Sequence, residues 1–260
     1  MSFKQTIIDG LRRYIPVERF SGHTLVTRHL NKNTTVLDLG ANLGNFSTLV
    51  KEQLGCQIFC VEANRDLIPD LERKGFKTLH AAAAGKSRKI QFNVMENNET
   101  SSVFEISSDN QGANTVAGAH QQTVSVDGLS YGDILEKFSL DSCDLLKIDI
   151  EGAEIEFLDA MTDEQLRNIA QIAVEFHSFM NYYEPEVSRR VIERIKRAGF
   201  YDLRPYRRRD VDVLLINKKR CPGAWWDQLK VMFFVRPLLS IFWNLFRVLQ
   251  GMEVAKSLAG

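Results

Sequence analysis

The sequence predicts an α/β domain with a mostly parallel sheet, because short apolar runs alternate with amphipathic segments along most of the chain. The runs typical of strands are "TTVLDLG", "QIFCVEA", "FKTLHAAAA", "DLLKIDIEG", "IAQIAVEFH" and "DVDVLLIN". The segments with helical spacing are "LGNFSTLVKEQLG", "RDLIPDLERKG", "AEIEFLDAM" and "EPEVSRRVIERIKRAG". Helices that connect parallel strands cover both faces of a sheet, so we expect a buried central sheet between two helical layers.

Two further strands are expected between the third and fourth of these runs. Ile90, Phe92 and Val94 alternate with polar residues, as do Val124 and Val126. The segment between them is long and rich in serine, asparagine and glycine, which is typical of a loop that carries specificity.

Composition is that of an ordinary globular protein of 260 residues, with 44% hydrophobic and 25% charged residues. Basic and acidic residues both number 33, and this zero net charge gives no support to a nucleic-acid partner. The four cysteines lack the paired spacing of a zinc site, and the amino terminus lacks an apolar stretch of the signal-peptide type. These features favour a reducing, cytoplasmic setting.

Three regions of the chain differ in character. Residues 1–33 are predicted to be an N-terminal helical segment, since the apolar positions of residues 3–15 have helical spacing. Residues 34–217 hold the alternating pattern and are predicted to form the main domain. Residues 218–260 are predicted to be a basic and apolar C-terminal helical tail.

The stretch "VLDLGANLGNF" has Asp38 near the end of a predicted strand and continues into a turn that contains Gly40, Asn42 and Gly44. At the carboxyl end of a parallel strand, such a turn leaves unpaired helix amides and room for a ligand. The spacing G-x-x-x-G differs from the G-x-G-x-x-G of dinucleotide folds, and a carboxylate here would repel a phosphate. A cation suits it better, and S-adenosylmethionine carries an ammonium and a sulfonium group. We therefore expect Asp38 to contact the amino-acid end of that cofactor.

The second predicted strand also ends on an acid, Glu62. It lies roughly 20 residues past the turn, where an acidic side chain typically binds ribose hydroxyls. Taken alone, Asp38 is equally typical of a helix cap and Glu62 of a solvated strand end. Because both acids end consecutive strands on either side of a glycine turn, a cofactor pocket is the favoured interpretation.

Five stretches resemble the FkbM-type family of S-adenosylmethionine-dependent methyltransferases: "VLDLGANLGNFS", "CVEANRDL", "VSVDGL", "LLKIDIEGAE" and "VEFH". They occur in this order, and the resemblance covers residues 34–217. It implies a class I methyltransferase (Rossmann-like) fold, with seven strands of which the last is antiparallel. It also implies O-methylation of a sugar, glycan or natural product.

One departure from the family concerns the loop after the second strand. The family usually has a proline after the acid, whereas this chain has Ala63 and Asn64, so the shape of the loop is in doubt but the acid is kept. We expect both residues among the cofactor contacts. Ala83 is expected beside the adenine, because a small side chain leaves room for a flat ring; a plain alanine patch is the alternative.

The fourth and fifth strands end on further polar side chains. Asp149 is expected near the transferred methyl group, as both a cofactor contact and a catalytic residue. Glu175 and His177 alternate onto one face of the fifth strand, and a histidine with a nearby acid is typical of a general base. A purely structural His177 is one alternative. A divalent metal held by Asp149, Glu175 and His177 is another, although magnesium prefers oxygen ligands.

The tail is apolar and aromatic over residues 225–249, but Arg236 and Pro237 interrupt it. A membrane span needs about 20 predominantly apolar residues, so we expect none here. Peripheral contact with a membrane surface, an interface in a homo-oligomer, and packing on the core all stay open.

The sequence thus favours an S-adenosylmethionine-dependent O-methyltransferase with a small-molecule or glycan acceptor. One alternative is another nucleotide-using α/β enzyme such as a dehydrogenase, against which the missing G-x-G-x-x-G counts. The other is a non-catalytic binding protein on the methyltransferase fold, against which the acids at the ends of three strands count.

Overall fold

The fold is that of a computed structural model, which describes residues 17–95, 120–180, 182–204 and 211–237. Its strands are β1 (Glu18–Phe20), β2 (His23–Leu25), β3 (Thr35–Leu39), β4 (Gln57–Glu62), β5 (Lys77–His80), β6 (Ala82–Ala83), β7 (Arg88–Met95), β8 (His120–Leu129), β9 (Leu145–Ile148), β10 (Gln171–Glu175), β11 (Phe200–Asp202) and β12 (Asp212–Asn217). Its α-helices are α1 (Asn45–Leu54), α2 (Ile68–Arg73), α3 (Tyr131–Phe138), α4 (Glu154–Ala160), α5 (Asp163–Arg167), α6 (Pro185–Arg197) and α7 (Ala224–Lys230). The predicted helix over residues 3–15 and the polar segment between β7 and β8 lie outside the described residues.

The central sheet has seven strands in the order β11-β12-β10-β9-β3-β4-β5. Neighbouring strands from β5 to β10 pair in parallel, whereas β12 runs antiparallel to both β10 and β11. This is the strand order of a class I methyltransferase, and the predicted fold is confirmed. The carboxyl ends of β3, β4, β9 and β10 therefore meet along one edge, where open α/β sheets bind ligands.

Side chains that alternate along the strands divide the core between the two faces of the sheet. In β3, Leu37 and Leu39 pack with buried residues of α3, α4 and α6. Val36, the residue before Leu37, points to the opposite face and packs with α1 and α2. This period of two requires apolar residues at nearly every position, which is why the strands read as continuous apolar runs.

The predicted extra strands form a second sheet in the order β6-β8-β7. The run "FKTLHAAAA" is therefore divided, since β5 belongs to the central sheet and β6 pairs in parallel with β8. Ala82 and Ala84 pack against Ile90, Phe92 and Val126 of this second sheet. The division places a short alanine segment directly beside the carboxyl end of β4.

A hairpin of β1 and β2 occupies the described part of the segment that the sequence predicts to be helical. The hairpin packs on the central sheet: the Thr24 hydroxyl donates to Asp212 at 2.6 Å, and the buried Gln171 side chain bonds both the amide and the carbonyl of Val26. Strands of three residues are too short to show alternation, so the sequence pattern does not reveal them. The domain limits at residues 34 and 217 stay predictions.

The helix α7 continues as a π-helix over Val231–Val235 and packs beside β11 and β12 through Ala224 and Val231. Arg28 holds its first turn by an ion pair with the buried Asp227. Among the described residues, no helix is both long and apolar enough to cross a membrane.

Candidate active site

A cavity of about 370 Å³ lies at the carboxyl ends of β3, β4, β9 and β10. The predicted site residues that line it are Gly40, Asn42, Glu62, Ala63, Ala83, Asp149, Glu175 and His177. Those that do not line it are Asp38, Gly44 and Asn64. The sheet thus brings most of the predicted residues to one cavity, while their binding and catalytic roles stay predictions.

The glycine turn after β3 is required by close packing of the backbone. Gly40 has a φ of 72°, and a Cβ placed on it would lie 1.8 Å from the carbonyl oxygen of Asp149. Gly44 also has a positive φ, of 73°, and its Cβ would lie 2.7 Å from a methyl carbon of Leu71. Gly40 therefore lets β3 and β9 approach at the floor of the cavity, whereas Gly44 lets α1 begin against α2.

Glu62, the last residue of β4, is buried and faces the cavity. Its carboxylate accepts the backbone amides of Asn42 and Asn64, each at 2.7 Å. Burial raises the pKa of Glu62, and the two amide bonds act in the opposite direction. Each oxygen keeps a second lone pair, so the side chain fits a ligand with hydroxyl groups, such as a ribose. Asn64 therefore orients this carboxylate through its backbone amide, although Asn64 does not itself line the cavity.

Asp38 is placed differently from the prediction. It is 0% exposed, it pairs with Lys147 Nζ at 3.0 Å, and it accepts the Ser47 hydroxyl at 2.6 Å. Direct contact between Asp38 and the amino-acid end of a cofactor does not fit this placement, because Lys147 is the member of the pair that lines the cavity. Burying an unpaired carboxylate is costly, and the ion pair with the lysine on the neighbouring strand offsets that cost.

Lys147 joins the glycine turn to β9. Its ammonium donates to the carbonyl oxygen of Gly40 at 2.7 Å and lies 3.6 Å from Asp149. Burial opposes its charge, but Asp38 and Asp149 outweigh burial and raise the pKa of Lys147. Lys147 and Asp149 therefore lie on one face of the strand end, and Lys147 is positively charged at the cavity floor.

Asp149 lies at the centre of the polar side chains in the cavity. Its carboxylate is 3.4 Å from His23 Nε2 and 3.6 Å from His177 Nε2. Burial alone would raise the pKa of Asp149, but Lys147, His23 and His177 together hold it well below its ordinary value. His23 comes from the hairpin, outside the alternating pattern, and the sequence offered no signal for its place in the site.

His177 is held by an acid that the sequence did not assign to it. Glu154, fully buried at the start of α4, lies 2.8 Å from His177 Nδ1 and also accepts the Tyr183 hydroxyl at 3.1 Å. The predicted acid partner, Glu175, instead groups with His23 and Asp149. Because Glu154 occupies Nδ1, the other ring nitrogen of His177 faces the cavity, 3.3 Å from Glu151.

The charges around His177 change its titration and that of Glu151. Burial disfavours the imidazolium, but the hydrogen bond and charge of Glu154, with the charges of Glu151 and Asp149, raise the pKa of His177 to about 9. Burial raises the pKa of Glu151 to about 8, although His177 opposes this. Glu151 also has a φ of 50°, which is uncommon for a residue with a side chain and typical of functional sites.

The alternative of a metal held by Asp149, Glu175 and His177 is not supported. In the described part of the chain, the groups whose ligand atoms converge are His23 with Asp149 and Glu175, and Asp149 with Glu151 and His177. The predicted set is divided between them. The ammonium of Lys147, 3.6 Å from Asp149, already supplies positive charge at the shared ligand and opposes a dication there.

A family model described as the methyltransferase FkbM domain matches residues 38–201, which is more than half of the chain. The chain belongs to the FkbM methyltransferase family. It is therefore an S-adenosylmethionine-dependent methyltransferase, and the predicted resemblance is confirmed.

Among curated proteins, this methyltransferase is 24% identical to the methyltransferase sdnD of Sordaria araneosa, over 74% of this chain and 82% of that protein. Among solved structures, it is similar to a TehB-like SAM-dependent methyltransferase from Corynebacterium glutamicum, with 10% identity, a TM-score of 0.38 and coverage of 83% and 96%. It is also similar to TrmK of M. capricolum in complex with S-adenosyl-homocysteine, with 10% identity, a TM-score of 0.34 and coverage of 83% and 67%.

Proposed function

We propose that this methyltransferase transfers the methyl group to a hydroxyl oxygen of a sugar, glycan or natural product. The observation that supports the proposal most is the placement of His177. One ring nitrogen is fixed by the buried Glu154, and the other faces the cavity beside Asp149 and Glu151. A hydroxyl must lose its proton as it is methylated, and a positioned histidine is the commonest group to accept it.

The donor is held, in this proposal, by the side of the cavity formed by β3, β4 and β6. Glu62 accepts the ribose hydroxyls, and the small side chains at Ala82 and Ala83 leave a flat space for the adenine. The bound donor supplies a methyl group that is already activated by a positively charged sulfur. Asp149 offers negative charge to the cationic end of the donor, while Lys147 fixes the position of Asp149.

The acceptor approaches from the side of β10. His177 Nε2 takes the hydroxyl proton as the oxygen forms its bond to the methyl carbon. Glu154 stabilises the imidazolium that results, because it already accepts a hydrogen bond from Nδ1. The protein supplies alignment of donor and acceptor and exclusion of water, since the buried walls of the cavity surround the reacting atoms.

Donor binding is tested with purified full-length protein by calorimetric titration of S-adenosylmethionine. We expect Glu62→Ala to weaken binding at least tenfold, or about 1.4 kcal/mol. Glu156→Ala is the matched control, because Glu156 lies away from the cavity in an ion pair with Arg88. Equal affinity of wild type and Glu62→Ala would refute the assigned donor side.

Transfer to oxygen is tested with isotopically labelled donor and a panel of hydroxylated sugars and natural products, with mass spectrometry to locate the new bond. We expect O-linked methyl in the product and a loss of turnover of about 100-fold or more in His177→Gln, with donor affinity retained. Methyl found on nitrogen or carbon would contradict the proposed acceptor. Donor binding without turnover across the panel would favour a non-catalytic protein.

A further inference from the structure

The helix that begins with α7 presents two chemically different faces. Its inner face buries Ala224, Asp227 and Val231 against the sheet edge. Its outer face leaves five large hydrophobic side chains in solvent: Trp225, Trp226, Met232, Phe233 and Phe234. In the described residues, exposed large hydrophobics number seven, and the other two, Leu43 and Phe179, lie outside this helix. Such clustering within ten positions marks an interaction surface, because scattered exposed apolar residues are the norm.

The charges around this outer face are nearly all positive. Lys218, Lys219 and Lys230 are close to it in sequence and exposed, whereas Arg220 is exposed but pairs with Asp144 at 2.8 Å. Asp227 is the one acid in the sequence of residues 218–237, and it is buried in an ion pair with Arg28. Since the whole chain has a net charge of zero, this excess is a local feature of the tail. It attracts an anionic surface.

The aromatic residues favour a lipid surface over an aqueous protein partner. Trp225 and Trp226 stack with ring centroids 4.2 Å apart, and both are about half exposed. Tryptophan concentrates where bilayer meets water, because its ring is apolar and its N–H is polar. An amphipathic helix with aromatic residues on one face and lysines beside them lies in the plane of the membrane interface.

Charge also distinguishes a membrane from a second copy of this chain. A symmetric dimer through this face would bring the positive charges of both copies, from Lys230 and the basic turn at residues 218–220, into one interface. Like charges across an interface oppose association, whereas anionic lipid headgroups complement them.

We propose that the outer face of residues 225–234, together with Lys218, Lys219 and Lys230, binds the surface of an anionic membrane. This binding is peripheral, and it is independent of the methyl-transfer chemistry proposed above.

The experiment is co-flotation of the full-length protein with vesicles of phosphatidylcholine alone or mixed with phosphatidylglycerol. We expect the wild type to float with the anionic vesicles. Replacing Trp225, Trp226, Phe233 and Phe234 by serine should remove this flotation. Lys218→Gln, Lys219→Gln and Lys230→Gln together should reduce binding to the anionic vesicles by about 100-fold, since each surface lysine contributes about fivefold.

A charge-matched control replaces Lys32, Lys86 and Lys137, which are exposed elsewhere, by glutamine and should float as the wild type does. Circular dichroism and S-adenosylmethionine affinity check that each variant is folded. A wild type that stays with the soluble fraction, or an aromatic variant that floats equally well, would overturn the proposal. A wild-type dimer in light scattering that becomes monomeric in the aromatic variant would identify a second copy as the occupant instead.

Discussion

At the residue scale, His177 has surroundings that conflict with the role of a base. Glu154, Glu151 and Asp149 raise its pKa to about 9, so that the ring of the free enzyme carries a proton at neutral pH. A base must be neutral when the acceptor arrives. The positive charge of the methyl donor resolves the conflict, because a like charge in the same cavity disfavours the imidazolium. Glu151, 3.3 Å from Nε2 and with a pKa raised to about 8, can accept the released proton only above that pH, where it is ionised.

This account predicts that the pKa of His177 falls when S-adenosylmethionine binds and changes less with S-adenosylhomocysteine, whose sulfur is uncharged. NMR titration of ring-labelled protein measures it, with His29 as an internal reference beside Arg28 in the turn after β2. Equal shifts with both ligands would show that donor charge does not set the protonation of His177.

The raised pKa of His177 should also make the stability of the protein depend on pH. The pKa of His177 is raised from 6.5 to about 9, so the imidazolium stabilises the folded state fully below pH 6.5 and progressively less up to pH 9. At 1.36 kcal/mol for each unit, this is of the order of 3 kcal/mol. We expect His177→Gln to be less stable than the wild type at pH 6, with most of the difference lost above pH 9 in urea unfolding. A difference that is constant with pH would mean that His177 stays neutral.

The sequence predicted those site residues that end strands, and it missed the contacts that tertiary packing creates. Glu62 and Asp149 could be located because a parallel sheet gathers the carboxyl ends of its strands. The pairing of His177 with Glu154 joins the end of one strand to the start of a helix elsewhere in sequence, and no periodicity encodes it. Asp38 was assigned to the ligand because the sequence does not show that Lys147 is its partner.

At the element scale, the turn between β3 and α1 allows the two backbone segments beneath the cavity to pack closely. A Cβ at Gly40 would collide with the backbone of Asp149, and backbone cannot yield as a side chain can. The positive φ adds about 1–2 kcal/mol for any residue with a Cβ. The glycine therefore serves sheet packing and cavity shape at once.

We predict that Gly40→Ala lowers the free energy of unfolding by more than the cost of about 1–2 kcal/mol for the positive φ, and that it abolishes donor binding. Gly132→Ala is the matched control, since Gly132 lies in α3 and the added Cβ would be 3.6 Å from its nearest neighbour, the side-chain nitrogen of Gln165. Alanine in a helix is favoured over glycine by about 1 kcal/mol, so this control should be as stable as the wild type or more so. Thermal unfolding and calorimetry measure both effects, and unaltered donor affinity in Gly40→Ala would contradict the role given to the turn.

Element length explains which elements the sequence pattern found. Strands of four to six residues that alternate with amphipathic helices were predicted, as was the antiparallel last strand through the family resemblance. The three-residue strands β1, β2 and β11 show too little alternation to be recognised. Their existence depends on pairing with distant residues, as in the contact of Thr24 with Asp212.

At the scale of the whole molecule, the amino-terminal hairpin runs from the amino end of β10 to the active site at the carboxyl ends of the strands. Val26 is anchored at the start of β10 by the buried Gln171, and three residues earlier His23 contacts Asp149 in the cavity. The chain from 23 to 26 is extended along the sheet, so loss of the anchor would release His23 as well.

We predict that Gln171→Met destabilises the protein by about 2–4 kcal/mol, because the Val26 amide and carbonyl would both be left buried without partners. Hydrogen exchange over residues 18–26 should rise, and the affinity for S-adenosylmethionine should fall, although Gln171 does not line the cavity. Thr162→Ala provides the comparison. It removes the capping box of α5, which should lower the stability of the protein by about 1 kcal/mol. Hydrogen exchange in the hairpin and donor affinity should stay unchanged. If the two variants affected the hairpin alike, its protection would reflect global stability and His23 would not depend on the Gln171 anchor.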